Sequence, residues 1–256
     1  MTEDALVLIG RETPHAREVL ETHARRLERR GIVDAVHVAL YEREPGRELP
    51  AHLAGVNAGV VYAVPMAFAH TRETTEGVPA ALSTLSGDVR YCEPIGRSPA
   101  STAVIADRAE EARTGERALV LVAFGNGAED HQRRAAEYHA ARLREETDYD
   151  EVVASYLLEN PAVECARYGY AAESAVAVPL FLARSAATDR EIPEKLELDR
   201  GGVAYAEPLG DHPRLTDAIE AEVGTQRLVG ESSAAGLTER ARRLATDGRG
   251  DPERYV

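Results

Sequence analysis

The chain carries 8 histidines and 44 aspartates and glutamates, but only one lysine, Lys195. Among these, His70 closes the apolar run AVPMAFAH and stands where a strand should end. A neutral imidazole there can bind a metal or move a proton near neutral pH. Glu42, in YEREPGRE, and Glu73, three positions past His70, can supply oxygen ligands or accept protons. Arg11, Arg72 and Arg184 can each hold a carboxylate through paired hydrogen bonds. Each group also has a plain structural use. His70 can be a hydrogen-bonded loop residue, YEREPGRE a solvated loop, and Arg72 with Glu73 a helix start and its first-turn acid. His15 and His23, like His131 and His139, stand eight residues apart. On a helix that is roughly 12 Å, too far for one metal without another partner. His212, in GDHPRL, is a further candidate, and Cys92 and Cys165 read as small buried fillers.

Several chemistries are excluded. No GxSxG elbow, phosphate-binding GxxxxGK[ST] or GxGxxG occurs. GNGAED (125–130) resembles a phosphate loop only in its glycines, being short and followed by two acids. Two cysteines without CxxC spacing argue against a disulfide scaffold or zinc module. A formal net charge of −14 argues against nucleic acid as a partner. No apolar run is long enough for a membrane span. The opening MTEDALVLIG lacks the basic start of a signal peptide, so a cytoplasmic location is expected. Many acids and almost no lysine suggest a salt-adapted, halophilic cytosol, the alternative being an ordinary acidic protein from a GC-rich genome.

The elements that must position these groups come in two copies. VPMAFAHTRETTEGVP (64–79) answers VPLFLARSAATDREIP (178–193), and VRYCEPIG (89–96) answers VAYAEPLG (203–210), both at an offset of 114. ALVLI (5–9) answers ALVLV (118–122) within one residue of that offset. The first copy predicts strands near 5–9, 36–41, 59–64 and 89–92, with helices around 15–30, 48–57, 72–85 and 99–112. The second predicts strands near 118–122, 151–156, 174–178 and 203–206, with helices around 129–146, 160–168, 188–197 and 213–223. Alternating strands and helices imply parallel sheets with right-handed crossovers. The expected fold is α/β, with two tandem four-stranded parallel sheets flanked by helices and facing across a cleft. Ligands then bind beyond the carboxyl ends of the strands. The organisation reads as a first half, 1–115, with the more polar site, a second half, 116–224, and an extension, 225–256. That extension should hold a short helix near 234–245 and a frayed or disordered end. At the matching strand ends the first half places Arg11, Glu42, His70 and Arg72, whereas the second places Phe124, Leu157 and Arg184.

These repeated blocks resemble the CbiX/SirB class of tetrapyrrole chelatases, which insert cobalt or iron into sirohydrochlorin. The resemblance rests on VPLFL (178–182), the later IP (192–193), EPLG (207–210) and EPIG (93–96), and covers residues 4 to 223. It implies cobalt or ferrous iron as substrate, no organic cofactor, and a role in cobalamin or siroheme biosynthesis. It places the family glutamate at Glu42. The family's first histidine position holds Arg11, and the second lies nearest Glu73, with His70 three residues earlier. The resulting metal-ligand set is His70, Glu42 and Glu73, with His70 and Glu42 catalytic. Arg11, Arg72 and Arg184 would meet the carboxylates of the macrocycle, and Phe124 and Leu157 its apolar face. The rival reading is a non-catalytic paralogue that binds or carries a tetrapyrrole or metal ion. A monomer or a homodimer is compatible with either.

Overall fold

Both copies of the opening apolar run become central strands, because residues buried on two faces favour uninterrupted aliphatic sequence. The computed structural model describes residues 3–247, with side chains described as far as residue 230. The first half runs β1 (Asp4–Arg11), α1 (Ala16–Arg30), β2 (Ala35–Tyr41), α2 (Pro45–Leu53), β3 (Val60–Pro65), α3 (Val78–Leu82), β4 (Asp88–Tyr91) and α4 (Pro99–Ala112). The second runs β5 (Ala118–Ala123), α5 (His131–Glu146), β6 (Glu151–Tyr156), β7 (Ala175–Pro179), α6 (Ile192–Lys195), β8 (Val203–Tyr205) and α7 (Pro213–Asp247). The sheets have the same order, β2-β1-β3-β4 and β6-β5-β7-β8, and every pairing is parallel.

Four local expectations need correction. The stretch 72–85 is a π turn, Glu73–Gly77, followed by the short α3, and Ala187–Glu191 repeats that turn before α6. The helix expected at 160–168 is a 3₁₀ helix over Val163–Tyr168. The Pro161 carbonyl accepts a hydrogen bond from the Tyr156 N–H (2.9 Å), so this segment extends the strand region instead of opening a helix. The helix expected to stop near 223 runs on to Asp247 and takes in 234–245. A glycine such as Gly224 costs about 1 kcal/mol in a helix interior, too little to break one. Residues 248–256 of the expected frayed end lie outside the described residues. Of the two cysteines, Cys92 is buried as expected but Cys165 is exposed.

The last helix of each half packs on the other half. Helix α4 lies against β7, α5 and α7, while α7 lies against β3 and α1. The apolar side chains on these facing surfaces, from Leu6, Leu8 and Tyr62 to Leu119, Val178 and Ile219, form one continuous core. Smaller clusters cover the outer face of each sheet. Two buried histidines tie the halves reciprocally. His23 on α1 donates from Nε2 to the Gly210 carbonyl (3.2 Å) and accepts at Nδ1 from the Thr216 hydroxyl (2.9 Å). His139 on α5 donates from Nε2 to the Gly96 carbonyl (2.7 Å) and accepts at Nδ1 from the Thr102 hydroxyl (2.8 Å). Both rings are fully buried with both nitrogens satisfied. Gly96 is required where it stands, because a Cβ there would lie 2.3 Å from the Phe68 Cα and carbonyl oxygen.

Burial lowers both His23 and His139 from 6.5 to about 4, against the opposing pull of their carbonyl partners. These rings are neutral when folded, whereas unfolded imidazoles titrate near 6.5. Their contribution is therefore complete above pH 6.5 and is lost as the pH falls towards 4, by about 3 kcal/mol for each ring. Urea unfolding across that window should show the loss. His139→Gln, which cannot titrate, should show a shallower pH slope than the wild type. Gly96→Ala should destabilise the protein by about 2–3 kcal/mol in the same assay, since the rigid Phe68 backbone must move.

Candidate active site at the facing strand ends

The carboxyl ends of the two sheets meet. The Thr13 hydroxyl, just past β1, donates to the Arg184 carbonyl beyond β7 (3.2 Å). His70, beyond β3, faces His131 at the start of α5, with ring centroids 5.9 Å apart and planes inclined at 68°. The strand ends of both halves thus border one cleft.

His70 is held by its own half. Its side chain is 15% exposed, and Nε2 lies 3.2 Å from a Glu93 carboxylate oxygen. An ionised Glu93 can only accept, so in this pairing Nε2 carries the proton. Nδ1 lies 3.3 Å from the Thr74 hydroxyl. That hydroxyl also accepts from the Thr71 N–H (2.8 Å) and donates to the Thr71 carbonyl (3.0 Å). The Tyr91 hydroxyl donates to the Thr74 carbonyl (2.7 Å), pinning the π turn to β4. Tyr205 and Thr188 repeat this pin at 2.9 Å in the second half. The motif HTRETTEG is therefore a scaffold for His70. Arg97 also pairs with Glu93.

Glu42 is exposed beyond β2, and no hydrogen bond or ion pair engages its carboxylate among the described residues. Its backbone is fixed by Glu48 on α2. One Glu48 oxygen accepts from the Glu42 N–H (2.6 Å), and the other from the N–H groups of Arg43 (3.1 Å) and Glu44 (2.7 Å). Arg11 Nε donates to the Glu42 carbonyl (3.2 Å), so the arginine braces the loop that carries the acid. Partial burial raises the Glu73 carboxyl, but the Thr71 hydroxyl, its own amide and the charges of Arg11 and Arg72 outweigh this. The net effect leaves Glu73 below the ordinary carboxylate range. The buried Tyr41 phenol is pushed up to about 12, first by desolvation and then by the Glu73 charge. It is therefore neutral at working pH.

The remaining sequence-selected residues take varied places. Arg72 pairs with Glu76 (2.9 Å), and Arg184 Nε donates to Glu207 (2.9 Å). Phe124 is 41% exposed and meets Phe181 edge to face, with centroids 6.3 Å apart. Leu157 sits beneath, within the outer core of the second half. His212 is set apart from the cleft, against Asp107 on α4 (3.4 Å). Burial and the nearby Arg108 hold its imidazole below the ordinary value. Among the described residues, no three His, Cys, Asp or Glu side chains are gathered closely enough to hold a metal ion. His70, Glu42 and Glu73 thus do not form a closed ligand set among the described residues.

Sequence reasoning missed His131 and undervalued Glu93. The spacing of His131 to His139 is too wide for a shared metal, whereas its neighbour His70 lies in the other half. Its place directly after the loop that follows β5 was the available signal.

Comparison with known proteins agrees with this architecture. A family model described as CbiX matches residues 5–112 and again residues 118–226. A probable sirohydrochlorin cobaltochelatase from Halobacterium salinarum is 27% identical over 223 residues, covering 74% of this chain and 75% of that protein. SirB from Bacillus subtilis, solved with Fe3+, matches with a TM-score of 0.74 at 16% identity, over 90% of this chain and 98% of its own. A multi-domain protein from Deinococcus radiodurans with structural similarity to chelatases matches with a TM-score of 0.69 at 22% identity, over 86% of this chain. This chain spans about half of that protein, 54% of its length. At such identities the solved structures establish a shared fold.

The bracing of the Glu42 loop is directly testable. Glu48→Ala should raise hydrogen exchange at the amides of residues 42–44 while leaving β1 protected. Unchanged exchange at those amides would show that the loop is held by other contacts.

Proposed function

The chain belongs to the CbiX family, and on that premise we propose that it inserts a divalent metal, cobalt or ferrous iron, into sirohydrochlorin. The observation that carries this reading is the cleft in which strand ends of two family-matching halves meet, with His70 inside it. The activity named for the Halobacterium salinarum relative supports cobalt. Imidazole and carboxylate are both acceptable ligands for such ions.

Insertion requires the pyrrole nitrogens to lose two protons while the metal exchanges its earlier ligands for theirs. Within this reading His70 meets the metal, and Glu42 and Glu73 serve as oxygen ligands or proton acceptors. Glu42 suits proton transfer to solvent, being exposed and uncommitted. Glu73 suits charge stabilisation, since it stays ionised. Arg11, Arg72 and Arg184 meet the carboxylates at the rim of the macrocycle. Arg72 and Arg184 do so by exchanging Glu76 and Glu207, a change that exposed ion pairs permit because they are weak. Phe124, with Phe181 beside it, offers the apolar ring face, and Leu157 supports them from below. The reaction needs no organic cofactor.

The reading extends to the setting of the protein. We take 1–115 and 116–224 as the two halves and 225–256 as an added segment, with a cytoplasmic location and a salt-rich milieu. No helix among the described residues is long and apolar enough to cross a membrane. The acid-rich, lysine-poor composition suits high salt, where self-repulsion is screened. Cobalamin or siroheme biosynthesis would consume the product. One observation favours the rival reading of a non-catalytic carrier, namely that no closed metal-ligand group is preassembled among the described residues.

A metal-insertion assay at high salt separates the two. The purified protein with sirohydrochlorin and cobalt(II) should yield the metallated macrocycle over many turnovers. His70→Ala should slow insertion by about tenfold or more, the usual scale for a group positioned at the reacting centre. Stoichiometric binding without turnover would replace the chelatase reading with the carrier reading.

A further inference from the structure

The two crossing helices are unequal, and the repeat shows where. At the offset of 114 the last residue of α4, Ala112, answers Gln226, yet α7 continues to Asp247. Around that point α7 is tied to β4, a short edge strand that pairs only with β3. β4 ends at Tyr91, and two residues on the Glu93 N–H finds its acceptor in the Glu222 carboxylate of α7 (3.3 Å). The Gln226 amide steadies the same carboxylate oxygen (3.2 Å). Arg90, within β4, donates to the Gln226 and Arg227 carbonyls (3.1 and 3.4 Å) and to Asp88 (2.9 Å). Arg227 donates in turn to the Ile32 carbonyl (2.9 Å), and both guanidiniums lie 5.5 Å from the centre of the buried Tyr62 ring. The helix passes so close that a Cβ at Gly230 would lie 2.2 Å from the Arg90 guanidinium carbon.

This brace does not recur in the second half. Glu222, Arg90 and Tyr62 answer Arg108, Ala204 and Val176. Arg108 donates to the Leu209 carbonyl instead (3.4 Å). The surroundings of the strand end are otherwise kept, since Thr74, Tyr91 and Glu93 answer Thr188, Tyr205 and Glu207. Only the central group differs, with Arg184 standing where the first half has His70. The half that carries the imidazole is thus the half that carries the brace.

We infer that Glu222 and Arg90 are positioning residues for His70, acting through Glu93, so that the closing helix of the second half sets the geometry of the site in the first. The consequence for metal insertion rests on the chelatase reading, whereas the coupling to the imidazole does not. The need for a brace is physical. The Glu93 side chain is exposed, and its carboxylate is shared between His70 Nε2 (3.2 Å) and Arg97. An exposed pair of this kind holds its geometry weakly by itself. Fixing the Glu93 main chain removes the freedom that the side chain leaves, and small misplacements at a reacting centre are costly.

Two readouts test the brace. In the insertion assay Glu222→Ala should lower kcat by about fivefold while KM stays within about twofold, because orientation is lost and macrocycle binding is not. Glu222→Gln, whose amide oxygen still accepts a hydrogen bond, should recover most of that loss. In a Glu93→Ala background Glu222→Ala should add less than about twofold, as a residue acting through Glu93 must. Without any macrocycle, nitrogen-edited NMR should show the His70 Nε2–H proton exchanging with water about fivefold faster in Glu222→Ala. Arg90→Gln loosens the brace from the strand side, should give the same pattern, and replaces Glu222→Ala if thermal melting shows that variant unfolded. Arg108→Ala, the matching change on α4, should leave both readouts at the wild-type level. Wild-type ring exchange in Glu222→Ala, an undiminished effect without Glu93, no recovery with glutamine, or an equal effect of Arg108→Ala would each overturn the inference. If the ring proton responds as expected yet no sirohydrochlorin is metallated, the chelatase reading falls and the brace stands. If Glu222→Ala metallates sirohydrochlorin as the wild type does and its ring proton is unchanged, the brace falls and the chelatase reading stands.

Discussion

Neither half by itself completes the cover over the inner face of its sheet, and the rest of the structure depends on that constraint. Each half ends in a helix that crosses to the other, so the two inner faces close into one core only when both halves are folded. The His23 and His139 bridges fix the register of this exchange. Each ring has one donor and one acceptor, and each finds a carbonyl and a hydroxyl on the opposite half. A neutral, fully paired imidazole suits this task because it satisfies two partners without burying a charge. The bridges also anchor the EPIG and EPLG segments, which lead from the fourth strand of each half into its crossing helix. The conformation of Gly96, pressed against Phe68, belongs to the same joint.

That joint decides where the cleft lies. Once α4 and α7 have crossed, the carboxyl ends of β1 and β3 stand opposite those of β5 and β7. His70 and His131 approach from separate halves, and Thr13 reaches the Arg184 backbone. The duplication thus lets the first half bring His70 to a cleft that the second half completes. The second half brings the exposed Phe124, set edge to face against the half-buried Phe181.

Much of the detailed chemistry follows from backbone pins rather than from the reactive groups themselves. Thr74 and Tyr91 hold the π turn below His70, and Glu48 holds three consecutive amides around Glu42. The Glu42 carboxylate has no hydrogen-bond partner among the described residues, while its main chain is fixed by another acid. Several arginines at the cleft rim are engaged only by exposed carboxylates, which leaves them exchangeable.

The sequence by itself determined the duplication, the parallel α/β character and the strand ends at which polar groups collect. These follow from local periodicity, and a repeat at a constant offset reports one fold written twice. It also offered His70, Glu42 and Glu73 as candidates, because they fall in the segments that follow β2 and β3. It misjudged the π turns and the 160–168 segment, where hydrogen bonds to other strands or to nearby hydroxyls outweigh local helical pattern. The pairing of His70 with His131, the use of His23 and His139 as bridges, and the exchange of helices were decided by the tertiary structure alone. In each case the partners come from different halves of the chain. Their contact depends on how two separately encoded sheets bury their remaining apolar faces, and no local spacing records that.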